Sequence, residues 1–177
     1  MSEAVLREIF SAEQVRKRID ELVEELYRDY ADTPACFVVI AEGARRFAAA
    51  LVEGLEARFV MPSVVFLRAT RTRGSALAEV QVESVDPSEF EDRDVLIIDD
   101  IADEGRTLEA VWSLVQEGDP RSLRAAVLVS KAARRKVSLP IRYQGFPLKT
   151  GWVVGFGMDL DGRYRDLDHL ALVEGLD

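Results

Sequence analysis

The stretch DVLIIDDIADEGRTL, residues 94–108, decides the fold. Residues 95–98 are an unbroken apolar run, which is typical of a strand covered on both faces. Acidic residues follow the run, and Gly105 and Thr107 then precede a predicted helix. A strand, an acidic loop and a helix in this order indicate an α/β fold with a ligand site at the carboxyl edge of a sheet.

Segments of the same kinds flank this stretch on both sides. Ser11 and Gln14 have capping-box spacing, and the apolar residues after them recur at three- and four-residue steps: Val15, Ile19, Leu22, Val23, Leu26, Tyr27 and Tyr30. The other predicted elements are a strand over 36–40, a helix over 45–57, strands over 63–69 and 77–82, a helix with Leu108, Val111, Trp112 and Val115 on one side, and a strand over 123–129. We expect an α/β fold with a twisted, mostly parallel sheet flanked by helices, and a small hood of terminal strands and turns, in one domain over 1–177.

Composition limits the possible partners. The 177 residues include 32 acids and 23 bases, with a formal net charge of −9. Nucleic acid and anionic membranes attract a basic face, so we expect neither as a partner. A small phosphorylated ligand stays possible, because it needs only local positive groups and a metal ion.

Cys36 lies in an apolar run and is predicted to be a buried thiol. With no apparent signal peptide or membrane span, we expect a cytoplasmic protein.

The loop after the central strand carries the densest chemistry in the chain. Four acids occupy six positions from Asp99 to Glu104. Gly105 allows close backbone approach to a ligand, and the N–H groups at the start of a helix can hold a phosphate. Acids that merely cap a helix are the alternative, but four of them are excessive for capping. The loop therefore predicts a functional site that can hold a phosphate, rather than acids that only cap a helix.

Several motifs resemble one family in order and spacing. Residues 99–107 resemble the ribose-phosphate signature of the type I phosphoribosyltransferases. The KAARRK of 131–136 is similar to the Lys-Pro-x-Arg-Arg-Lys of the hypoxanthine-guanine phosphoribosyltransferases. Gly-Phe at 145–146, WVVGFGMD at 152–159 and RYRDL at 163–167 resemble three further blocks of that family. The resemblance extends over about residues 10–175 and implies the type I phosphoribosyltransferase fold.

The resemblance implies a role for each matching residue. Asp103 would be the catalytic acid/base on the purine imidazole nitrogen. The implied ribose-phosphate-binding residues are Asp99, Asp100, Asp103, Glu104, Gly105, Arg106 and Thr107. The implied purine-binding residues are Lys131, Trp152, Val153 and Asp159, and the implied pyrophosphate-binding residues are Gly43, Arg71, Arg73 and Arg165. The implied ligands of Mg²⁺ are Asp99, Asp100 and Asp159, since hard oxygen donors suit that ion.

The chain departs from the family pattern at four places. Glu42 replaces the usual lysine of the pyrophosphate loop, and Glu104 replaces the usual threonine before Gly105. The charge of Glu104 would compete with a phosphate unless its side chain turns outward. Residues 69–74 lack the usual Ser-Tyr of the mobile loop, and Trp152 replaces the usual stacking phenylalanine.

Plainer interpretations remain for some of these residues. Trp152 could be a core residue, residues 131–136 could be a solvated basic face, and Asp159 and Arg165 could form a surface ion pair worth little. His169 is the only histidine, and we expect a packed or surface role for it.

The resemblance implies magnesium-dependent transfer of a phosphoribosyl group from 5-phosphoribosyl 1-pyrophosphate to hypoxanthine or guanine, in purine salvage. The products would be IMP or GMP and pyrophosphate, and the protein would be a homodimer or homotetramer. One alternative is a xanthine-preferring enzyme. The other is a regulator of the same fold that binds nucleotide or RNA and has no turnover.

Overall fold

The computed structural model describes residues 4–71, 80–83 and 85–176, with the backbone alone for Arg71. The strands are β1 (Leu6–Phe10), β2 (Ala35–Ala41), β3 (Ser63–Arg71), β4 (Val80–Val82), β5 (Asp94–Ala102), β6 (Ser122–Ser130), β7 (Ile141–Pro147), β8 (Trp152–Val154) and β9 (Leu170–Val173). The α-helices are α1 (Ala12–Tyr30), α2 (Arg45–Glu56) and α3 (Arg106–Gln116). Short 3₁₀ helices span Pro87–Phe90 and Ala132–Arg134.

Six strands form the main sheet in the order β4-β3-β2-β5-β6-β7. The neighbours from β3 to β7 are parallel, and only β4 runs antiparallel to its neighbour, at one edge. This confirms the predicted mostly parallel sheet. Because β2, β5 and β6 are adjacent and parallel, the loops that follow them lie at the same edge of the sheet.

Helices cover both faces of this sheet. Along β5, Leu96 and Ile98 face the apolar core that also holds the buried residues of α1 and α2. Val95 and Ile97 face the opposite core, which contains the buried side of α3. A strand with both faces buried needs an unbroken apolar run, so the structure confirms the strand that residues 95–98 predicted. Cys36 is a buried free thiol in the second core, as expected.

The first helix begins as its sequence predicts. The Ser11 side chain accepts a hydrogen bond from the Gln14 amide, and the Gln14 side chain accepts one from the Ser11 amide. The predicted apolar face is buried except at Tyr27, which is 37% exposed because it lies at the flank of the apolar stripe. Among the described ranges, no helix is both long and apolar enough to cross a membrane.

Three antiparallel strands, in the order β1-β9-β8, form a second, smaller sheet that corresponds to the predicted hood. The prediction did not include β1, and it did not distinguish β7 from the hood strands. In the structure β7 joins the main sheet beside β6. Gly145 permits this pairing, since a Cβ there would lie 2.2 Å from the carbonyl oxygen of Leu128. The predicted strand over 77–82 is described only at Val80–Val82.

Candidate active site

Two adjacent carboxylates lie near the carboxyl end of β5. Asp99 is buried, and its Oδ1 accepts a hydrogen bond of 3.0 Å from the Asp100 amide. Asp100 Oδ1 accepts one of 2.8 Å from the Ile101 amide. Burial raises the pKa of Asp100 above its ordinary value, although hydrogen bonds and the positive charge of Arg165 oppose this effect. Two adjacent carboxylates, one of them with a raised pKa, form a place where an added cation is electrostatically favoured.

The loop after β2 approaches this acid pair at a glycine. A Cβ on Gly43 would lie 1.8 Å from Asp100 Oδ2, so any side chain at this position would have to displace the carboxylate or the loop. The Gly43 carbonyl oxygen also faces Gly157, where a Cβ would lie 2.3 Å from it. The structure thus brings the predicted pyrophosphate loop against the predicted ribose-binding acids.

Asp103 lies between two cations from the segment after β6. Lys131 Nζ is 2.9 Å from Asp103 Oδ2, and Arg134 Nε is 2.7 Å from Asp103 Oδ1. Partial burial raises the pKa of Asp103, but the hydrogen bonds and charges of the two cations outweigh burial, and the pKa lies below its ordinary value. Asp103 is therefore ionised at neutral pH. Lys131 is only 3% exposed, so the solvated-face interpretation is wrong for this residue.

The acidic loop leads into α3 through Gly105. This residue has φ of 85°, in the left-handed region that favours glycine, and a Cβ there would lie 2.5 Å from a methyl group of Val137. Glu104 pairs with Lys136 and with Arg106, whose Nε is 3.3 Å from Glu104 Oε2. Its charge is thus balanced by neighbouring cations. The N-terminus of α3 follows directly, where helical N–H groups favour an anion.

A cavity of about 200 Å³ lies beside these groups. Its lining combines carboxylates, one lysine and apolar side chains: Asp100, Ile101, Asp103, Lys131, Trp152, Val153, Met158 and Asp159. Trp152 is 45% exposed, and its Nε1 donates a hydrogen bond of 3.1 Å to the Asp159 carbonyl oxygen. A core tryptophan would be covered, so the core interpretation is wrong. All four predicted purine-binding residues line this one cavity.

Asp159 and Arg165 form the ion pair that the plainer interpretation anticipated. Arg165 Nη2 lies 2.7 Å from Asp159 Oδ1, and Arg165 Nη1 donates to the Gly157 carbonyl oxygen at 2.8 Å. Asp159 Oδ2 accepts a hydrogen bond of 2.7 Å from the Gly162 amide. Both carboxylate oxygens of Asp159 are therefore engaged.

The carboxylates fit a metal ion that arrives with phosphate oxygens. Among the described residues, no three His, Cys, Asp or Glu side chains are grouped closely enough to hold a metal by themselves. Mg²⁺ is usually held by one or two carboxylates together with waters and substrate phosphates, and an acid pair such as Asp99 and Asp100 is a donor set of that kind.

Of the four predicted pyrophosphate-binding residues, Gly43 and Arg165 are fully described by the structure. The Arg71 side chain and Arg73 lie outside the described residues. Glu42 faces cations instead of standing alone: its carboxylate is 3.1 Å from Arg45 Nε and 3.8 Å from Arg68 Nη2. Arg68 lies beside Glu42 because Ala41 and Arg68 are paired across β2 and β3. No local sequence signal shows this register.

Three further residues of the site received no role from the sequence. Arg134, which pairs with Asp103, lies within the basic motif at 131–136, and that motif was its only signal. Ile101 and Met158 line the cavity. Both stand inside the recognised motifs, but apolar positions in a motif are not distinguishable from core residues by sequence.

Comparison with known proteins identifies the family to which the whole chain is similar. Residues 6–161 match the phosphoribosyl transferase domain. The chain is 30% identical over 168 residues to a hypoxanthine-guanine phosphoribosyltransferase of Dictyostelium discoideum, covering 92% of each chain. It is 28% identical over 176 residues to the one of Bacillus subtilis, covering 98% of this chain and 96% of that relative. A hypoxanthine phosphoribosyltransferase structure from Staphylococcus aureus matches with a TM-score of 0.87 at 29% identity, covering 95% of this chain and 91% of that chain. The chain therefore belongs to the phosphoribosyltransferase family, among the hypoxanthine-guanine phosphoribosyltransferases.

Proposed function

We propose that the protein transfers the phosphoribosyl group of 5-phosphoribosyl 1-pyrophosphate to hypoxanthine or guanine, in purine salvage. The observation that carries this proposal is the single cavity in which Asp103, Lys131 and an exposed Trp152 meet beside the acid pair. The products are IMP or GMP and pyrophosphate. The donor is highly charged and does not cross a membrane unaided, so we place the reaction in the cytoplasm.

The donor binds along the carboxyl edge of the sheet. The N-terminus of α3, over Glu104–Thr107, takes the 5′-phosphate, because helical N–H groups and the helix dipole favour an anion there. Asp99 and Asp100 accept hydrogen bonds from the ribose hydroxyls. Gly43 packs against Asp100 and the charge of Arg165 acts on the same carboxylate, so both are placed to contact the pyrophosphate. Catalysis then depends mainly on holding the anomeric carbon and the purine in line.

The purine binds in the cavity with its ring on Trp152. Lys131 donates a hydrogen bond to the exocyclic oxygen of hypoxanthine or guanine. An ammonium group has donors only, so it has no favourable contact with the amino group that adenine carries at the same position. The ion pair with Asp103 holds the buried ammonium group in place beside the cavity.

Asp103 acts as the base during the transfer. The C–N bond to the purine forms as the bond from the anomeric carbon to the pyrophosphate oxygen breaks, and the proton on the imidazole nitrogen passes to Asp103. The lowered pKa keeps Asp103 ionised and able to accept this proton at neutral pH. Lys131 and Arg134 hold both of its oxygens in place, while each oxygen keeps a second lone pair for the substrate.

Mg²⁺ would be held by Asp99 and Asp100, and a second ion by Asp159, together with pyrophosphate oxygens. When bound, the ion neutralises charge that develops on the departing pyrophosphate. Asp159 would have to exchange its contact with Arg165 for the ion, which leaves the Arg165 guanidinium available for pyrophosphate.

Release of pyrophosphate in the presence of hypoxanthine, guanine, xanthine or adenine tests the function, with and without magnesium. We expect turnover with hypoxanthine and guanine, dependence on magnesium, and no turnover with adenine. A clear preference for xanthine would contradict the proposed substrate, and a flat response to every purine would favour the regulator. The regulator drew its support from Glu42 and Glu104, but both carboxylates face cations in the structure.

We also propose that the protein is a homodimer or homotetramer. Exposed apolar side chains lie on β3 and just before it, and they include Phe59, Met61 and Phe66. Exposed apolar groups gathered in one region are typical of protein–protein contacts. Light scattering after size-exclusion chromatography tests this proposal, and a monomer at micromolar concentration would contradict it.

A further inference from the structure

Arg46 lies in the first turn of α2 and contacts a distant segment of the chain. Its Nη1 lies 2.9 Å from the carbonyl oxygen of Leu167, 3.0 Å from that of Asp166 and 3.4 Å from that of Arg165. Its Nη2 pairs with Asp168. The guanidinium also lies over the ring of Phe156, 4.6 Å from the centroid. One planar side chain thus holds four consecutive residues, 165–168.

The segment over 165–168 belongs to none of the helices or strands, so its position depends on such contacts. The Arg165 carbonyl oxygen also accepts a hydrogen bond of 2.9 Å from the Gly157 amide. The Arg165 side chain in turn reaches Asp159 and the Gly157 carbonyl oxygen. One carbonyl oxygen of Arg165 is therefore held by both Arg46 and Gly157, and the Arg165 guanidinium reaches Asp159 in the lining of the candidate site.

Arg46 also follows the pyrophosphate loop closely in the chain. Gly43 is three residues before it, and Gly157 packs directly on the Gly43 carbonyl oxygen. The two parts of the chain proposed to hold pyrophosphate, Gly43 and Arg165, thus meet at Arg46. The purine-binding cavity has a different lining, which does not include Arg46.

We propose that Arg46 is a positioning residue that sets the pyrophosphate half of the site, by fixing the backbone of Arg165 against the start of α2. This inference rests on the proposed function. Arginine suits the task because its planar fork carries five donors, enough for several carbonyl oxygens and a carboxylate together. Lysine has the same charge but presents it as a compact point with three donors, so it cannot reproduce the arrangement.

The test compares R46M with R58M. Arg58 follows the other end of α2, where it donates to the Gly54 carbonyl oxygen and pairs with Glu24, so it is a matched control outside the site. For R46M we expect the KM for the phosphoribosyl donor to rise about tenfold, with the KM for the purine within about twofold of wild type. R58M is expected to change neither KM. Titration calorimetry with magnesium pyrophosphate is expected to show the same loss of affinity for R46M without any need for turnover.

R46K separates positioning from charge. If the planar fork is what matters, R46K resembles R46M, whereas wild-type behaviour of R46K would overturn the proposal. Unchanged pyrophosphate affinity in R46M, or equal increases of both KM values with a lowered melting temperature, would also overturn it. R46K serves as the test if R46M does not fold. A wild type that binds pyrophosphate but turns over no purine would contradict the proposed function, and the calorimetric comparison would still decide the role of Arg46.

Discussion

Asp103 shows how much of a residue's chemistry depends on neighbours that are distant in sequence. Lys131 and Arg134 come to it from the segment after β6, because β5 and β6 are adjacent parallel strands and Ala102 pairs with Ser130. The motif resemblance pointed to Asp103 and Lys131 separately. It did not show that they form an ion pair, and that pair is what keeps Asp103 ionised and oriented.

We predict that Asp103→Asn lowers kcat by about 10²–10⁴-fold, the usual contribution of general acid–base catalysis. Asparagine has nearly the same shape and keeps one acceptor for Lys131 or Arg134, so the affinity for IMP should change little. Steady-state kinetics with hypoxanthine and calorimetry with IMP measure the two quantities. Unchanged turnover would rule out Asp103 as the base.

The pH dependence of the reaction should report the lowered pKa of Asp103. Burial raises this pKa, but the two cations lower it by more, so the ionised base persists into mildly acidic solution and is lost as the pH falls through the lowered pKa. We predict that Arg134→Met moves the acid limb of kcat/KM to higher pH, since one of the lowering contacts is gone. Arg121→Met is the control, because Arg121 pairs with Asp94 at the other end of β5. An acid limb that stays in place in R134M would contradict the assignment.

At the scale of elements, the predictable parts are those with strong local signals. The buried run of β5, the capping box at Ser11 and the apolar stripe of α1 each arise from residues that are close in sequence. β1 has five residues, two of them charged, and its partner β9 begins at Leu170, so nothing local indicates the pairing. β7 alternates buried and exposed residues over a short span, which by itself does not choose between the two sheets.

The role of the loop after β2 depends on the absence of a side chain at Gly43. We predict that Gly43→Ala weakens binding of magnesium pyrophosphate and of the phosphoribosyl donor by about tenfold or more, because the new Cβ must displace Asp100 or the loop. Gly175→Ala is the control, since a Cβ at Gly175 meets nothing within 4 Å and costs only the strain of a left-handed residue. Equal pyrophosphate affinity in G43A and wild type would show that the loop does not approach the ligand.

At the scale of the whole molecule, charge is distributed more specifically than the net value of −9 suggests. The net charge argued against nucleic acid and anionic membranes as partners. It did not show that the acids at the carboxyl edge of the sheet are paired with cations of their own. Glu104 illustrates the limit of sequence reasoning. Its charge looked unfavourable for a phosphate, yet Lys136 and Arg106 balance it in the folded protein. Motif order could predict which residues gather at the site, whereas only the fold shows which charges compensate one another.

The two ends of β5 should separate stability from activity. Asp94, at the amino end, accepts hydrogen bonds from Arg121 Nη2 at 2.5 Å and from Ser122 Oγ at 2.6 Å, and so connects β5 to the start of β6. Burial raises the pKa of Asp94, but the bonds from Arg121 and Ser122 outweigh it, and the pKa is lower than in the unfolded chain. The resulting stabilisation is present above the unfolded pKa and disappears as the pH falls through the folded one.

We therefore predict that Asp94→Asn lowers the free energy of unfolding by about 1 kcal/mol at neutral pH, a small value because Arg121 is half exposed and solvent screens the pair. Urea unfolding at neutral and at acidic pH measures this, and the difference between D94N and wild type should shrink in acid. At temperatures where both proteins are folded, kcat/KM should be unchanged, since the residues proposed to bind substrate lie near or beyond the carboxyl ends of the main-sheet strands, or in the segment from β8 onward, and not at the amino end of β5. A D94N variant that is fully folded but clearly less active would show that the two ends of the sheet are coupled.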